Sequence, residues 1–103
     1  MHTRDSDQER PVKRAEPVMT LLSEEKFLCI LLELPGITEE RIRIDLDHHL
    51  NRITVVASNI RIQYKKVISI PCEVRFSKKR FSDGVLELTL EKTNPNSLCT
   101  PWL

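Results

Sequence analysis

Glycine is scarce in this chain, which has only Gly36 and Gly84 among its 103 residues. A phosphate-binding loop needs a glycine-rich run, so the sequence offers no such loop and no visible ATP site. Each glycine stands where a strand must stop, because Gly36 follows the most apolar run and Gly84 follows Asp83. The pair Asp83-Gly84 predicts the tight turn of a β-hairpin, since glycine accepts the positive φ of this turn and aspartate tolerates it.

Long apolar runs are also lacking. The longest run, residues 27–32, is far shorter than the roughly 20 residues that a helix needs to span a bilayer. The first residues form no apolar signal segment, which a secreted protein would need. We therefore expect no membrane partner.

The cysteines and histidines form no metal-binding pattern. Cys29, Cys72 and Cys99 are an odd number and include no Cys-x-x-Cys pair, so neither a disulfide framework nor a zinc knuckle is indicated. A reducing cytoplasm fits these thiols best. His48 and His49 fall in a turn, where neighbouring side chains diverge and no motif places a third ligand nearby. We expect no metal and no cofactor.

An excess of charge of one sign is lacking too, because 16 basic residues face 15 acidic ones for a formal net charge of +1. Nucleic-acid-binding domains are usually basic overall, so we expect no nucleic-acid partner, although a local basic patch is compatible with this balance. Serine, histidine and aspartate occur outside any nucleophile-elbow motif. Asp45 and Asp47 share the outward face of a strand, where solvated acids are expected. We therefore expect no enzymatic activity.

What the chain has in plenty is alternation of apolar and polar residues. After the Asp-Gly turn, Leu86, Leu88 and Leu90 alternate with polar residues, which is typical of a strand with one buried face. Further strands are expected at residues 18–22, 26–33, 41–47, 52–58 and 60–70. The patterns predict an all-β, immunoglobulin-like antiparallel β-sandwich of about seven strands.

The second of these strands is apolar on both faces. Leu28, Ile30 and Leu32 can serve the core, whereas the opposite face, which includes Phe27 and Leu31, needs other cover. That cover is either the side chains of the first strand or another molecule. Phe27 and Leu31 are therefore candidate contacts for a partner or client.

Composition divides the chain into three parts. Residues 1–16 carry mixed charges and almost nothing apolar, which predicts a disordered leader. Residues 17–92 hold the strands, and residues 93–103 form a C-terminal tail. A core of this size buries only about 60–65% of its unfolded surface, so help from a partner subunit is expected.

Four short motifs resemble, in order, those of the α-crystallin domain of the small heat-shock proteins. They are Leu34-Pro35-Gly36 closing an early strand, Ile53-Thr54-Val55, Ile68-Ser69-Ile70-Pro71, and Gly84-Val85-Leu86 opening the last strand. The resemblance runs over residues 17–92 and implies the β-sandwich of that family.

The chain departs from the family pattern at two internal places. The link at Ser58-Asn59 leaves almost no room for the loop that, in bacterial, archaeal and plant members, carries an extra strand across to the partner subunit. The short link predicts a direct hairpin, so a dimer must form differently, for instance along the strand at 60–70 as in the animal α-crystallins. Lys79 stands where the family usually has alanine.

The tail departs from the pattern as well. Large oligomers of this family usually end with an Ile-x-Ile pair that docks between two strands of a neighbour. Here Leu98, Trp102 and Leu103 offer apolar side chains at a different spacing, and they are candidate contacts in its place. We expect a homodimer or small homo-oligomer.

The resemblance implies an ATP-independent chaperone, a holdase that binds unfolded or partly folded proteins through exposed apolar surface. Such binding consists of many weak contacts, because each buried client side chain is worth at most about 1.5–3 kcal/mol. The alternative is an adaptor of the same fold, like the co-chaperone domains related to this family, that binds one defined protein partner. The short link and the short leader favour this alternative.

Overall fold

The computed structural model describes residues 12–93, which form two β-sheets of four strands each. In chain order the strands are β1 (Lys13–Ala15), β2 (Met19–Ser23), β3 (Phe27–Glu33), β4 (Ile42–Asp47), β5 (Arg52–Ser58), β6 (Ile62–Ser69), β7 (Val74–Ser82) and β8 (Val85–Lys92). The first sheet has the order β1–β6–β5–β4 and the second the order β2–β3–β8–β7. The predicted all-β sandwich is confirmed, with one strand more than expected.

Helical structure is almost missing from this part of the chain. A single 3-10 turn, Glu39–Arg41, precedes β4. Within residues 12–93, no helix has the length and apolar character that crossing a membrane would require.

The core lies between the inward faces of the two sheets. The residues of β3 and β8 that alternation assigns to the core are fully buried: Leu28, Ile30, Leu32, Leu86, Leu88 and Leu90. In the first sheet, β5 buries Ile53, Val55 and Ala57. No polar or charged side chain is buried among the described residues, so apolar packing holds the sheets together, with each fully buried leucine or isoleucine contributing about 1.5–3 kcal/mol.

The β7–β8 hairpin has the turn that Asp83-Gly84 predicts. Ser82 pairs with Val85, and between them Asp83 and Gly84 adopt φ angles of 53° and 78°. Positive φ at both central residues defines a type I′ turn, whose twist matches the twist of the flanking strands. The predicted position of the turn is confirmed.

The Leu-Pro-Gly and Gly-Val-Leu motifs meet at one end of the sandwich. The amide of Leu34 donates a 2.7 Å hydrogen bond to the carbonyl oxygen of Gly84, and Glu33 pairs with Val85 across the neighbouring strands β3 and β8. A Cβ atom on Gly84 would lie 3.7 Å from the Cα of Pro35. Two of the four motifs that carry the resemblance therefore form one structural unit.

Strands β5 and β6 form the direct hairpin that the short link predicts. The amide of Asn59 donates a 2.9 Å hydrogen bond to the carbonyl oxygen of Ile62, and the paired residues run from Ser58 opposite Gln63 onward. The link contains residues 59–61 only, so no further strand fits between β5 and β6.

Strand β1 corrects the prediction of a disordered leader at residues 13–15, whereas residues 1–11 of that leader lie outside the described residues. Its three residues pair in parallel with the start of β6. The amide of Lys13 donates a 3.0 Å hydrogen bond to the carbonyl oxygen of Arg61, and Lys66 Nζ lies 3.2 Å from Glu16 Oε1. Because backbone pairing at a strand edge needs no apolar side chains, the hydrophobic pattern gave no sign of β1.

This strand covers the first three of the eight β6 residues, on the edge along which a dimer was expected to form. It ends at Ala15, opposite Tyr64, and no strand of residues 12–93 pairs with the same edge at 65–69. A second copy could pair along the whole of β6 only after β1 had moved away, since a strand edge accepts one neighbour.

Candidate functional site

An apolar groove opens between the two sheets where strands β4 and β7 form their edges. Its volume is about 300 Å³ and it is lined by Ile42, Ile44, Leu46, Phe76 and Lys79. This volume is at the lower end of the range for small-molecule pockets, about 300–1,000 Å³, and the groove is open to solvent. It therefore suits the side chains of an extended polypeptide better than an enclosed metabolite.

The β4 wall of the groove is built by alternation. Ile42, Ile44 and Leu46 point toward the second sheet and pack against the core, but remain half-buried. They stay partly exposed because β4 is the last strand of its sheet, so no further strand covers them. The sequence identified these residues as one face of a strand but could not show that this strand lies at an edge.

The β7 wall depends on a β-bulge. The pairing of β7 with β8 shifts between Phe76 and Lys78. As a result, Phe76 lies opposite Leu90 and Lys79 lies opposite Leu88, both of which are buried. Residues directly opposite each other share a face of the sheet, so Phe76 and Lys79 both face the groove although they are three positions apart. Phe76 is 41% exposed.

The charges of β7 divide between the two faces of the second sheet. On the outer face, Arg75 Nη2 lies 2.7 Å from Glu91 Oε1, which neutralises that guanidinium. Lys78 and Arg80 lie on the same outer face, since their partners on β8 are outward residues. Lys79 is the only charged residue among those lining the groove, and it forms no ion pair within residues 12–93.

A second apolar surface lies on the outer face of the second sheet. Phe27 and Cys29 of β3, with Leu22 of β2, line a shallow depression of about 540 Å³, which Lys78 and Glu87 border. Leu22 is 48% exposed. The first strand's side chains therefore cover β3 only in part.

The predicted contact residues fall into two groups. Phe27 and Leu31 are half-buried on the outward face of β3, which is the opposite side of the second sheet from the groove. Leu98, Trp102 and Leu103 lie outside the described residues. The structure thus separates Phe27 and Leu31 from the groove between β4 and β7.

Cys29 and Cys72 differ in chemical state, and Cys99 lies outside the described residues. Burial, followed by the negative charge of Glu87, raises the pKa of the Cys29 thiol, whose Sγ lies 3.7 Å from Glu87 Oε2. A raised pKa lowers the thiolate fraction and makes this sulfur a poor nucleophile. Cys72 is disulfide-bonded, which corrects the expectation drawn from the odd cysteine count. A disulfide is unusual in a reducing compartment.

The acidic and histidine residues form no metal site in residues 12–93, where no group of three or more potential ligands lies close together. In the turn after β4, one oxygen of Asp47 accepts hydrogen bonds from the amides of His49, at 2.9 Å, and Leu50, at 3.2 Å. His48 and His49 are exposed. The carboxylate therefore shapes the turn that carries both histidines.

Comparisons with known proteins point to one fold. No protein-family model matches the chain, and no curated protein does. Among solved structures, heat shock protein 16.0 from Schizosaccharomyces pombe superposes with a TM-score of 0.68 at 19% identity, covering 86% of this chain and 97% of that one. The Del-C4 mutant of hsp14.1 from Sulfolobus solfataricus P2 has a TM-score of 0.64 at 21% identity, covering 78% of each chain.

A bacterial protein shows the same likeness. The C-terminally truncated small heat shock protein AgsA from Salmonella typhimurium has a TM-score of 0.68 at 13% identity, with 86% of this chain and 98% of that chain covered. These three proteins come from a yeast, an archaeon and a bacterium, and the chain superposes on each of them with a TM-score of 0.64 or more. The chain therefore has the α-crystallin-type β-sandwich fold of the small heat-shock proteins.

Proposed function

We propose that the protein is an ATP-independent chaperone that holds unfolded or partly folded proteins through the groove between β4 and β7. The observation that carries this proposal is an open apolar groove whose walls are two strand edges. Structural likeness to small heat-shock proteins supports it. No nucleotide or other cofactor is part of the proposed activity.

The backbone of the strands beside the groove offers hydrogen-bonding groups in addition to the apolar side chains. Strands β4 and β7 are the outer strands of their sheets, so each has one edge without a partner strand among residues 12–93. An extended client segment can pair its own amides and carbonyls with such an edge while its alternate side chains enter the groove. Backbone pairing is independent of sequence, which suits a chaperone with many clients.

The energetics favour weak and reversible binding. Ile42, Ile44 and Leu46 are already half-buried by their own fold, so a client covers only their remaining surface. Each client side chain gains at most about 1.5–3 kcal/mol, and association costs several kcal/mol in lost freedom. A client is therefore held by several such contacts and is released when it folds.

A substitution at the groove tests the proposal. Phe76→Asp places a charge at the exposed end of the β7 wall, and Val67→Asp is the matched control. Val67 is 46% exposed and lies on β6, opposite the half-buried Thr54 on the outward face of the first sheet. Suppression of aggregation is measured for several unrelated clients, with thermal melts showing that each variant is folded.

We expect Phe76→Asp to weaken capture about fivefold, because about 1 kcal/mol of client burial is lost. Val67→Asp should behave like the parent chain. Equal loss in both variants, or no loss in either, would show that the groove does not bind clients.

Phe27 and Leu31 are proposed as a second contact surface for a client or partner. They lie on the outer face of β3 beside the exposed Leu22. Leu22→Lys, which adds a charge next to this surface without touching the core, tests the assignment. We expect weaker capture if clients use this face, and unchanged capture would assign binding to the groove alone.

The adaptor function is the second candidate, and the direct β5–β6 hairpin favours it. Without a strand that crosses to a partner subunit, the sandwich resembles a compact module that presents its surface to one protein. An adaptor would form a 1:1 complex with that protein and protect no unrelated client from aggregation. The client assay and a stoichiometric pull-down, performed together, distinguish the two functions.

A further inference from the structure

The β-bulge of β7 brings a cation into the otherwise apolar groove. Without the register shift between Phe76 and Lys78, strict alternation would place Lys79 on the face opposite Phe76. With the shift, Lys79 shares the groove with Phe76 and the β4 residues. Bulges commonly re-aim a side chain next to a functional site.

The charges around the groove have one sign on the β7 side. Lys79 lines the groove itself, while Lys78 and Arg80 lie on the other face of the same strand. None of these three cations forms an ion pair with a described residue, whereas the neighbouring Arg75 is paired with Glu91. Only Lys79 faces the groove, so the β7 wall presents one unpaired cation to a ligand there.

We propose that Lys79 makes the groove selective for apolar segments that also carry a carboxylate. The inference rests on the proposed function and names the class of segment that its groove takes. A segment lying in the groove displaces water from around the Lys79 ammonium, and a carboxylate beside it restores a partner for that charge. A lysine in the segment is repelled at the same position.

The geometry also fixes where the carboxylate belongs in the sequence of the ligand. In an extended segment, residues i, i+2 and i+4 point to the same side. The acid must therefore stand in the same alternation as the apolar anchors, as in apolar-x-apolar-x-acid. An acid displaced by one residue points to solvent and gains little from Lys79.

A purely structural role for Lys79 makes a different prediction. Charged residues that point inward on an edge strand prevent two sheets from pairing edge to edge. In that role Lys79 would limit self-association, and ligands of different charge would bind alike. The charge preference of the groove, rather than stability or particle mass, therefore distinguishes the two roles.

The experiment uses the full chain and four fluorescein-labelled nine-residue peptides with the same two alternating isoleucines. Three peptides carry Glu, Gln or Lys at the next alternate position, and the fourth carries Glu one residue further along. Fluorescence anisotropy at low and high salt gives the affinities. The variants are Lys79→Glu and a control, Lys65→Glu. Lys65 lies on the outward face of β6, where it pairs with Val56 of β5.

We expect the in-register Glu peptide to bind about three- to tenfold more tightly than the Gln peptide at low salt, with the Lys peptide weakest. The out-of-register Glu peptide should bind like the Gln peptide. Lys79→Glu should reverse the order of the Glu and Lys peptides, and Lys65→Glu should preserve it. High salt should reduce the differences in affinity between the peptides, because salt screens charges that are exposed to solvent.

Each other result counts against the inference in a specific way. If the peptides bind with equal affinity, or if Lys79→Glu keeps the parent order, charge selection by Lys79 is wrong while the groove remains the binding site. A further variant, Lys79→Ala, is examined by light scattering. If it raises the particle mass and leaves the affinity order of the peptides unchanged, Lys79 only prevents edge-to-edge pairing of sheets. If the Gln peptide does not bind at all, the proposed function of the groove fails together with this inference.

Discussion

The side-chain amide of Asn59 donates a 3.0 Å hydrogen bond to the carbonyl oxygen of Gly36, 23 residues earlier in the chain. The side-chain oxygen of the same asparagine accepts hydrogen bonds from the amides of Arg61, at 2.7 Å, and Ile62, at 2.9 Å. One residue thus shapes the short β5–β6 turn and ties it to the turn that follows β3. The short β5–β6 link is therefore held by side-chain hydrogen bonds.

Replacing Asn59 should therefore destabilise the sandwich, by an amount that depends on how many of its hydrogen bonds are lost. Asn59→Ala removes all three side-chain hydrogen bonds, and we expect a loss of about 1–2 kcal/mol, moderated by the exposure of the turn. Asn59→Asp keeps both acceptor bonds and loses only the donor to Gly36, so its loss should be smaller. Urea midpoints measure both. Equal losses for the two variants would mean that the acceptor bonds do not shape the turn.

The glycine of the β7–β8 turn offers a second test of stability. Gly84 has a φ of 78°, which costs other L-residues about 1–2 kcal/mol and β-branched residues most of all. A Cβ atom there would meet Pro35 only at an ordinary 3.7 Å. Gly84→Val should therefore lose more than about 1 kcal/mol through backbone strain rather than through a clash.

A matched change at the preceding residue provides the control. Asp83 also has positive φ, at 53°, and asparagine tolerates this conformation as well as aspartate does. Asp83→Asn should leave the urea midpoint nearly unchanged. If Gly84→Val were as stable as the parent chain, the turn and the register of β8 would both need revision.

The paired sheets could be predicted because local patterns and tertiary structure agree there. Leu86, Leu88 and Leu90 alternate in the sequence and are fully buried in the structure. The Asp-Gly turn was predictable for the same reason, since positive φ at two successive positions selects few residue types. These features depend on residues that are close in the sequence, so the local sequence is enough to predict them.

The features that the sequence did not reveal depend on partners far away in the chain. Strand β1 is held by backbone pairing with β6, and its exposed side chains carry no apolar signal. The bulge beside Phe76 sets the face on which Lys79 lies, and no turn residue marks it. The groove exists only because β4 and β7 are both edges, which is a property of topology rather than of either strand.

The assembly should respond to removal of β1. We expect the full chain to be a monomer, a dimer or another small closed assembly, because the β5–β6 link has no room for a crossing strand and β1 covers the start of the β6 edge. Deleting residues 1–16 exposes that whole edge, and unpaired edges readily pair with a second copy. Light scattering coupled to gel filtration should show a larger mass for the shortened chain.

A shorter deletion provides the matched control. Removing residues 1–11 keeps β1 and the ion pair between Glu16 and Lys66, so the mass should equal that of the full chain. Equal masses for both deletions would show that β1 does not restrict pairing along β6. A homogeneous particle of more than about twelve full-length subunits would contradict the small assembly itself.

The last prediction concerns the tail, whose only tryptophan, Trp102, reports on its environment. If Leu98, Trp102 and Leu103 dock in the groove between β4 and β7, their burial contributes about 1.5–3 kcal/mol each. Ordering residues 98–103 opposes this by about 1–2 kcal/mol per residue. The two terms nearly cancel, so we expect a docked tail that is only partly populated. Pro101 favours docking because it restricts the free chain beforehand.

A tail that occupies the groove part of the time competes with clients for it. Truncation after Asn94 should therefore increase client capture, and it should also reduce particle mass if the tail docks on a neighbouring subunit. In the full chain, the emission maximum of Trp102 should lie between the buried and solvated limits. If the tail docks on a neighbouring subunit, this maximum should also shift on dilution. Phe76→Asp should shift it toward the solvated limit, since that substitution weakens the groove for tail and client alike. Fully solvated emission together with unchanged capture after truncation would remove the tail from the mechanism.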